Sequence, residues 1–367
     1  MENNKFLNVI GMMSGTSIDG IDVSHLVTDG LSTLKTKEHY FYKYSKTTFE
    51  MLSKSIFKYN EIRNDKTFIN HLNKIVTLEH INALKAFSPI DYCDLIGFHG
   101  QTIFHNPKDR FTLQLGDPKL LSDYFKKNIA YNFRENDILN GGEGAPLAPV
   151  YHKHIIEINK IKLPACLINI GGISNLTYWD GLTLIGFDSG PGNCLMDRYM
   201  NIMFNKQYDV DGSFAHLGDI DEYKLDFIMK DEFYKEKWPK SLDREYFSNK
   251  LEIFMNSEML PEDIMATLNE LTFKSITNSI ELLPKKINSI GLIGGGYQNK
   301  FLKSKFIKKF KNKFIDLNNY NFNSNFIESE LIAYISARAL YELPTTFPET
   351  TGVKRPTSGG EIYLFNK

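Results

Sequence analysis

Three times in this chain an apolar stretch of strand length runs straight into a glycine-rich turn. "FLNVI" leads into "GMMSGTSIDGID" at 11–22, "ACLINI" into "GGISN" at 171–175, and "SIGLI" into "GGGYQN" at 294–299. Such turns punctuate strands and leave backbone N–H groups pointing into a shared space. Helical spacing fills other stretches. Residues 72–87 (LNKIVTLEHINALKAF) carry apolar side chains three and four apart before Pro89. Residues 300–310 repeat Leu302, Phe306 and Phe310, with Asn299 as their N-cap, and the helix from 327 stops before Pro344. Strands mixed with helices in this way predict an α/β chain with helices packed on sheets. A length of 367 residues exceeds one ordinary core and predicts two domains or one large α/β unit.

Bulk properties exclude several classes. A net charge of −1 gives no field for nucleic acid or an anionic membrane surface. The lysines of 300–310 read as a solvated helix face rather than a nucleic-acid patch. The three cysteines, Cys93, Cys166 and Cys194, are widely spaced and form no CxxC pair, so neither a disulfide framework nor a zinc site is expected. The N-terminus does not read as a secretory signal, and no stretch approaches the roughly 18 apolar residues of a membrane span. A cytoplasmic protein with reduced thiols is the expectation.

The first turn supports two readings. Gly11, Gly15 and Gly20 leave room for a ligand, and the Ser and Thr hydroxyls add donors, which suits phosphate oxygens. Asp19 beside phosphate then calls for a cation, and Mg²⁺ favours one carboxylate with water and phosphate ligands. The same residues also suit a plain polar hairpin turn. No Walker A or dinucleotide fingerprint is present. Glycine loops recurring after three strands favour the nucleotide.

Other strings carry polar groups on glycine turns. "GFDSGPGN" places Asp188 at a strand end, as a general base or as a cap for the helix that follows. "GFHGQT" offers His99, Gln101 and Thr102, suited to sugar hydroxyls or to structural bonding. Arg134, before the run "NGGEGAPL", suits a carboxylate ligand or a surface ion pair. His152 and His154 lack a third ligand for a metal.

Taken together, "GMMSGTSIDGID", "GFHGQT", "LQLGD", "NFR…GGEGAPL", "NIGGISNLT", "GFDSGPGN", "PKSLDREYF" and "GGGYQN" occur in the order of one family. Over essentially its whole length the chain resembles anhydro-N-acetylmuramic acid kinases, of the actin, Hsp70 and sugar-kinase superfamily. That resemblance implies a two-lobed, actin-like (ribonuclease H-like) fold with a mixed five-stranded sheet in each lobe and ATP in the cleft. The N-terminal lobe is expected over 1–133, completed by 350–367, and the C-terminal lobe over 134–349. The echo between 9–17 and 168–176 would then be a duplicated phosphate hairpin.

The resemblance also assigns residues. The phosphate loop would be Gly15, Thr16, Ser17, Ile18, Asp19, Gly20, Ile21 and Asp22, with Mg²⁺ at Asp19. The second hairpin would use Gly171 and Gly172, and the adenine would lie on Gly294, Gly295 and Gly296 with Asn299. Asp188 would be the base that activates water. His99, Gln101, Thr102, Arg134 and Glu330 would line the sugar pocket, Arg134 meeting the lactyl carboxylate. ATP with Mg²⁺, a sugar substrate and a homodimer are implied, with neither nucleic acid nor membrane as partner. Three departures stand out: Ser189 for Thr, Glu143 for Gln, and Leu242-Asp243 for Thr-Gly. The rival readings are a plain sugar kinase and a non-catalytic ATP-gated binding module.

Overall fold

The computed structural model describes residues 5–15, 17–242, 246–320 and 323–365. Thr16 and Asp243 therefore lie outside the described residues. The chain divides into two compact units, 1–154 with 326–367, and 155–325.

The first unit is built on a mixed sheet. β1 (Leu7–Ser14), β2 (Gly20–Thr28) and β3 (Thr33–Lys43) form an antiparallel meander. β4 (Leu95–Asn106) lies parallel to β1, and β6 (Asn128–Tyr131) parallel to β4. These five strands run in the order β6-β4-β1-β2-β3. Two further strands extend the sheet beyond the five expected. β5 (Phe111–Leu115) folds back antiparallel on β4, and β12 (Glu361–Tyr363) pairs with β6. β1 sits at the centre and is buried on both faces, as an inner strand covered by helices must be.

The helix Ile327–Leu340 crosses this sheet closely. A Cβ on Gly11 of β1 would sit 2.1 Å from the Ser329 carbonyl and 2.3 Å from the Ala333 nitrogen. Ala333 and Ala337, fully buried, supply the matching small surface. That packing draws 326–349 into the first unit rather than the second. Residues 134–154 follow β6 directly and also fall there. The helix expected over 72–87 runs instead from Lys66 to Lys85, because Asp65 caps it by accepting from the Phe68 N–H at 2.9 Å.

The second unit holds a five-stranded sheet. β7 (Ala165–Ile170), β8 (Ile173–Trp179) and β9 (Leu184–Pro191) form an antiparallel meander. β10 (Ser289–Ile293) is parallel to β7, and β11 (Phe314–Ile315) parallel to β10. The order β11-β10-β7-β8-β9 repeats the order and strand senses of the first unit. The two hairpins whose sequences echo each other, β1–β2 and β7–β8, occupy equivalent places in this repeated, ribonuclease H-like α/β architecture.

Leu176 and Phe187, paired across β8 and β9, join Ile168, Ile276, Leu292 and Phe306 in one core. Asn299 caps the helix Lys300–Phe310 through the Leu302 N–H, as expected. Its lysine face is less solvated than expected. Lys303 bonds Asp316 at 3.2 Å and Lys305 bonds Glu270 at 2.8 Å. Among the described residues, no helix is long and apolar enough to cross a membrane.

Candidate functional site

In the first unit the β1–β2 turn is held from below. Ser14 Oγ is buried, donates to Gln101 Oε1 and lies 2.9 Å from Tyr44 Oη. Gln101 Nε2 donates to the Gly15 carbonyl at 3.1 Å. Gln101 is fully buried, and both ends of its amide are committed to this turn. Above that clamp, Ser17 and Asp19 are exposed, with Ser17 Oγ donating to Asp19 at 2.6 Å. Ile18 is buried at φ 58°, a left-handed conformation that β-branched residues rarely adopt. Gly20 and Ile21 begin β2 and are buried.

Burial, then the neighbouring Glu328 and Asp19 carboxylates, push Asp22 up to about 8. Asp22 is therefore mostly protonated near pH 7. Among the described residues, no group of three or more His, Cys, Asp or Glu is placed to hold a metal ion. One exposed carboxylate, Asp19, is still the kind of donor Mg²⁺ takes when phosphate and water complete its shell.

His99 and Arg134 form a pair. His99 is buried and donates from Nδ1 to the Gly100 carbonyl at 2.9 Å, leaving Nε2 to accept from Arg134 Nε at 3.1 Å. Arg134 Nη1 also donates to the Gly144 carbonyl at 2.8 Å. Burial and then the guanidinium push His99 down to about 3, so it is neutral. The same causes lower His105, whose ring lies against Gly144, to about 4. His99 thus aims the guanidinium, and both its ring nitrogens are engaged. Thr102 Oγ1 accepts from Gln114 at 3.2 Å on the β4–β5 hairpin. Glu330 is 1% exposed, accepts from Tyr151 Oη at 2.8 Å and lies 3.4 Å from His39 Nε2. His152 and His154 are also buried, His154 Nε2 meeting Thr33 Oγ1 at 2.8 Å. Arg134 and Glu330, expected with the C-terminal lobe, both belong to the first unit.

In the second unit the glycine loops gather at one end of the sheet. The Gly171 carbonyl accepts from the Asn193 N–H at 2.8 Å, and the Gly172 carbonyl from Gly192 and Cys194. The β7–β8 turn is thereby tied to the start of the helix Cys194–Phe204. Gly294 leaves β10 at φ 77°, and a Cβ there would lie 2.2 Å from Asn169 Oδ1. Gly295 and Gly296 continue in a short 3-10 turn up to Asn299. The Asn299 carboxamide oxygen is taken by its own helix cap.

Asp188 sits near the end of β9, 9% exposed. It does not cap the Cys194 helix, whose N-cap is Asn193 with no side-chain cap bond. Instead, the segment 240–242 grips it. The Asp188 N–H donates to the Lys240 carbonyl at 3.0 Å, and the Leu242 N–H donates to Asp188 Oδ2 at 2.8 Å. That contact is made by the backbone, so Leu242 in place of Thr leaves it intact. Ser189 is buried and donates to the Ser174 carbonyl at 3.1 Å, which explains why a hydroxyl is kept there. Glu143 donates its N–H to the Thr351 carbonyl, again independently of its side chain.

Sequence reading missed two residues. Cross-strand register aligns Asn169, Asn175 and Asp188 in one row over β7, β8 and β9, on the face opposite Leu176 and Phe187. The enclosed Asn175 Oδ1 has no hydrogen-bond partner among the described residues. Both asparagines lie in "NIGGISN", and strand alternation outward from Leu176 was the available signal.

The whole chain matches known proteins. A family model described as anhydro-N-acetylmuramic acid kinase matches residues 7–365. The chain is 37% identical to the anhydro-N-acetylmuramic acid kinase of Pelagibacter ubique, covering 98% of both chains. It is 33% identical to that of Rhodopseudomonas palustris strain BisB18 and 34% to that of Bradyrhizobium diazoefficiens, covering 97% of this chain and 99% of each relative. The chain belongs to the anhydro-N-acetylmuramic acid kinase family.

Proposed function

We propose that this chain takes 1,6-anhydro-N-acetylmuramic acid, ATP and water to N-acetylmuramic acid 6-phosphate and ADP, a step of bacterial cell-wall recycling. What carries the reading is the full-length family match joined to a strand-end carboxylate, Asp188, gripped by backbone from a separate segment. Asp188 takes a proton from water as its oxygen bonds the anomeric carbon. The bond from that carbon to the bridging oxygen breaks. The released 6-oxygen bonds the γ-phosphorus, and ADP leaves.

The turn Gly15–Asp22, with Gly171 and Gly172, holds phosphate oxygens. Gly294, Gly295 and Gly296 back the adenine, with Asn299 anchoring that loop. Arg134, aimed by His99, takes the lactyl carboxylate; Gln101 braces the phosphate turn, and Thr102 and Glu330 complete the sugar contacts. Asp19 would hold Mg²⁺, which when bound neutralises charge on the phosphates. The same reading includes a cytoplasmic location and a homodimer, the latter checked by sedimentation.

The test is incubation with Mg-ATP and the anhydro sugar in ¹⁸O-labelled water. Mass spectrometry should find the 6-phosphate with label at C1. Phosphorylated sugar without label would mean a plain sugar kinase, and no sugar product would overturn the reading.

A further inference from the structure

Lys240 is a lysine where a lysine is costly. It is 6% exposed, and its Nζ donates to the Phe233 carbonyl at 2.7 Å. The ammonium lies 4.1 Å above the Phe233 ring and 5.7 Å from the ring of Phe187, the residue before Asp188. A carbonyl and two aromatic faces do not repay the desolvation of a full charge, so an anion must share its field. Two carboxylates act on it, those of Glu236 and Asp188, and Glu236 is exposed. The same residue's carbonyl receives the Asp188 N–H, and Leu242, two residues on, donates to Asp188 Oδ2.

We propose that Lys240 is a positioning residue for Asp188: its buried ammonium, held on the Phe233 carbonyl, anchors the segment that grips the base, and its charge acts on the carboxylate. This rests on the reading of Asp188 as the base. Burial pushes the Lys240 ammonium down to about 8, with Glu236 and Asp188 pulling it back up. Coupling between two charges is reciprocal, so the cation in turn favours the ionised carboxylate.

Lys240→Gln separates the two roles, because it keeps a donor for the Phe233 carbonyl and removes the charge. The acid limb of kcat/KM against pH should move up by about one unit. kcat at neutral pH should fall several-fold, with KM for ATP within twofold of wild type. Lys240→Arg should restore the limb. A wild-type limb in Lys240→Gln overturns the proposal, as does a loss of kcat in both variants without movement of the limb. If wild-type enzyme forms no sugar phosphate, the functional reading fails instead. The Asp188 carboxyl is then titrated directly by ¹³C NMR in wild type and Lys240→Gln, where equal midpoints overturn the proposal. Should Lys240→Gln fail to fold, the same titration on Lys240→Arg decides, a midpoint more than half a unit from wild type overturning it.

Discussion

Asp188 combines burial, a backbone donor on one carboxylate oxygen and a place near a strand terminus. Replacing it with Asn keeps the shape and the contact with the Leu242 N–H but removes the proton acceptor. Asp188→Asn should bind ATP as wild type does and lose kcat by about 10²–10⁴, the usual worth of a positioned general base. Calorimetry of ATP binding and a single-turnover assay check both halves, and wild-type turnover would remove Asp188 from the mechanism. His99 shows a different logic. The type of residue suggested a sugar contact, but its ring is spent between a carbonyl and Arg134. A histidine's two nitrogens have only two places to go, and sequence does not say which.

At the level of elements, the contact that matters most is that of the helix Ile327–Leu340 against β1. The absence of a side chain at Gly11 lets the helix backbone approach, and Ser24 Oγ then meets Ser329 Oγ at 2.6 Å. The same contact sets the height of Glu330. Gly11→Ala puts a methyl inside van der Waals contact of two backbone atoms that cannot swing aside. It should cost about 1–3 kcal/mol or more. Urea unfolding reads that cost as a lower midpoint, and an unchanged midpoint would contradict the packing. Strand and helix types were legible here from periodicity. The start of the helix Lys66–Lys85 was not, because the cap at Asp65 lies a full two turns before the clear apolar pattern.

For the whole molecule, acid sensitivity should be uneven. Burial pushes His80 to about 4, His99 to about 3, His105 to about 4, His152 to about 3 and His154 to about 4, all in the first unit. Their unfolded values lie near 6.5. Below that pH the unfolded chain binds protons the folded unit refuses, so their stabilisation, full above about 6.5, is lost as pH falls towards 3–4. His39 is lowered by burial too, while Asp22, raised to about 8, acts in the opposite sense to these histidines. In the second unit, burial pushes Asp180 up, but its hydrogen bond with Lys285, the Thr183 and Leu182 N–H groups and the Lys285 charge together pull it down to about 2. It loses its contribution only below its unfolded value near 4. Hydrogen exchange at pH 7.5 and 5 should show the first unit opening more at the lower pH. Equal protection at both would sink this expectation.

The sequence alone determined the α/β class, the glycine turns and the order of motifs that marks the family, since each is written in residues close along the chain. Tertiary structure alone decided that Arg134 and Glu330 belong to the first unit, that Gln101 braces a turn, and that Asn169, Asn175 and Asp188 share a row. Those facts depend on strand register and on a helix packing against a glycine some three hundred residues away. No local pattern encodes which distant backbone will be there to meet a side chain.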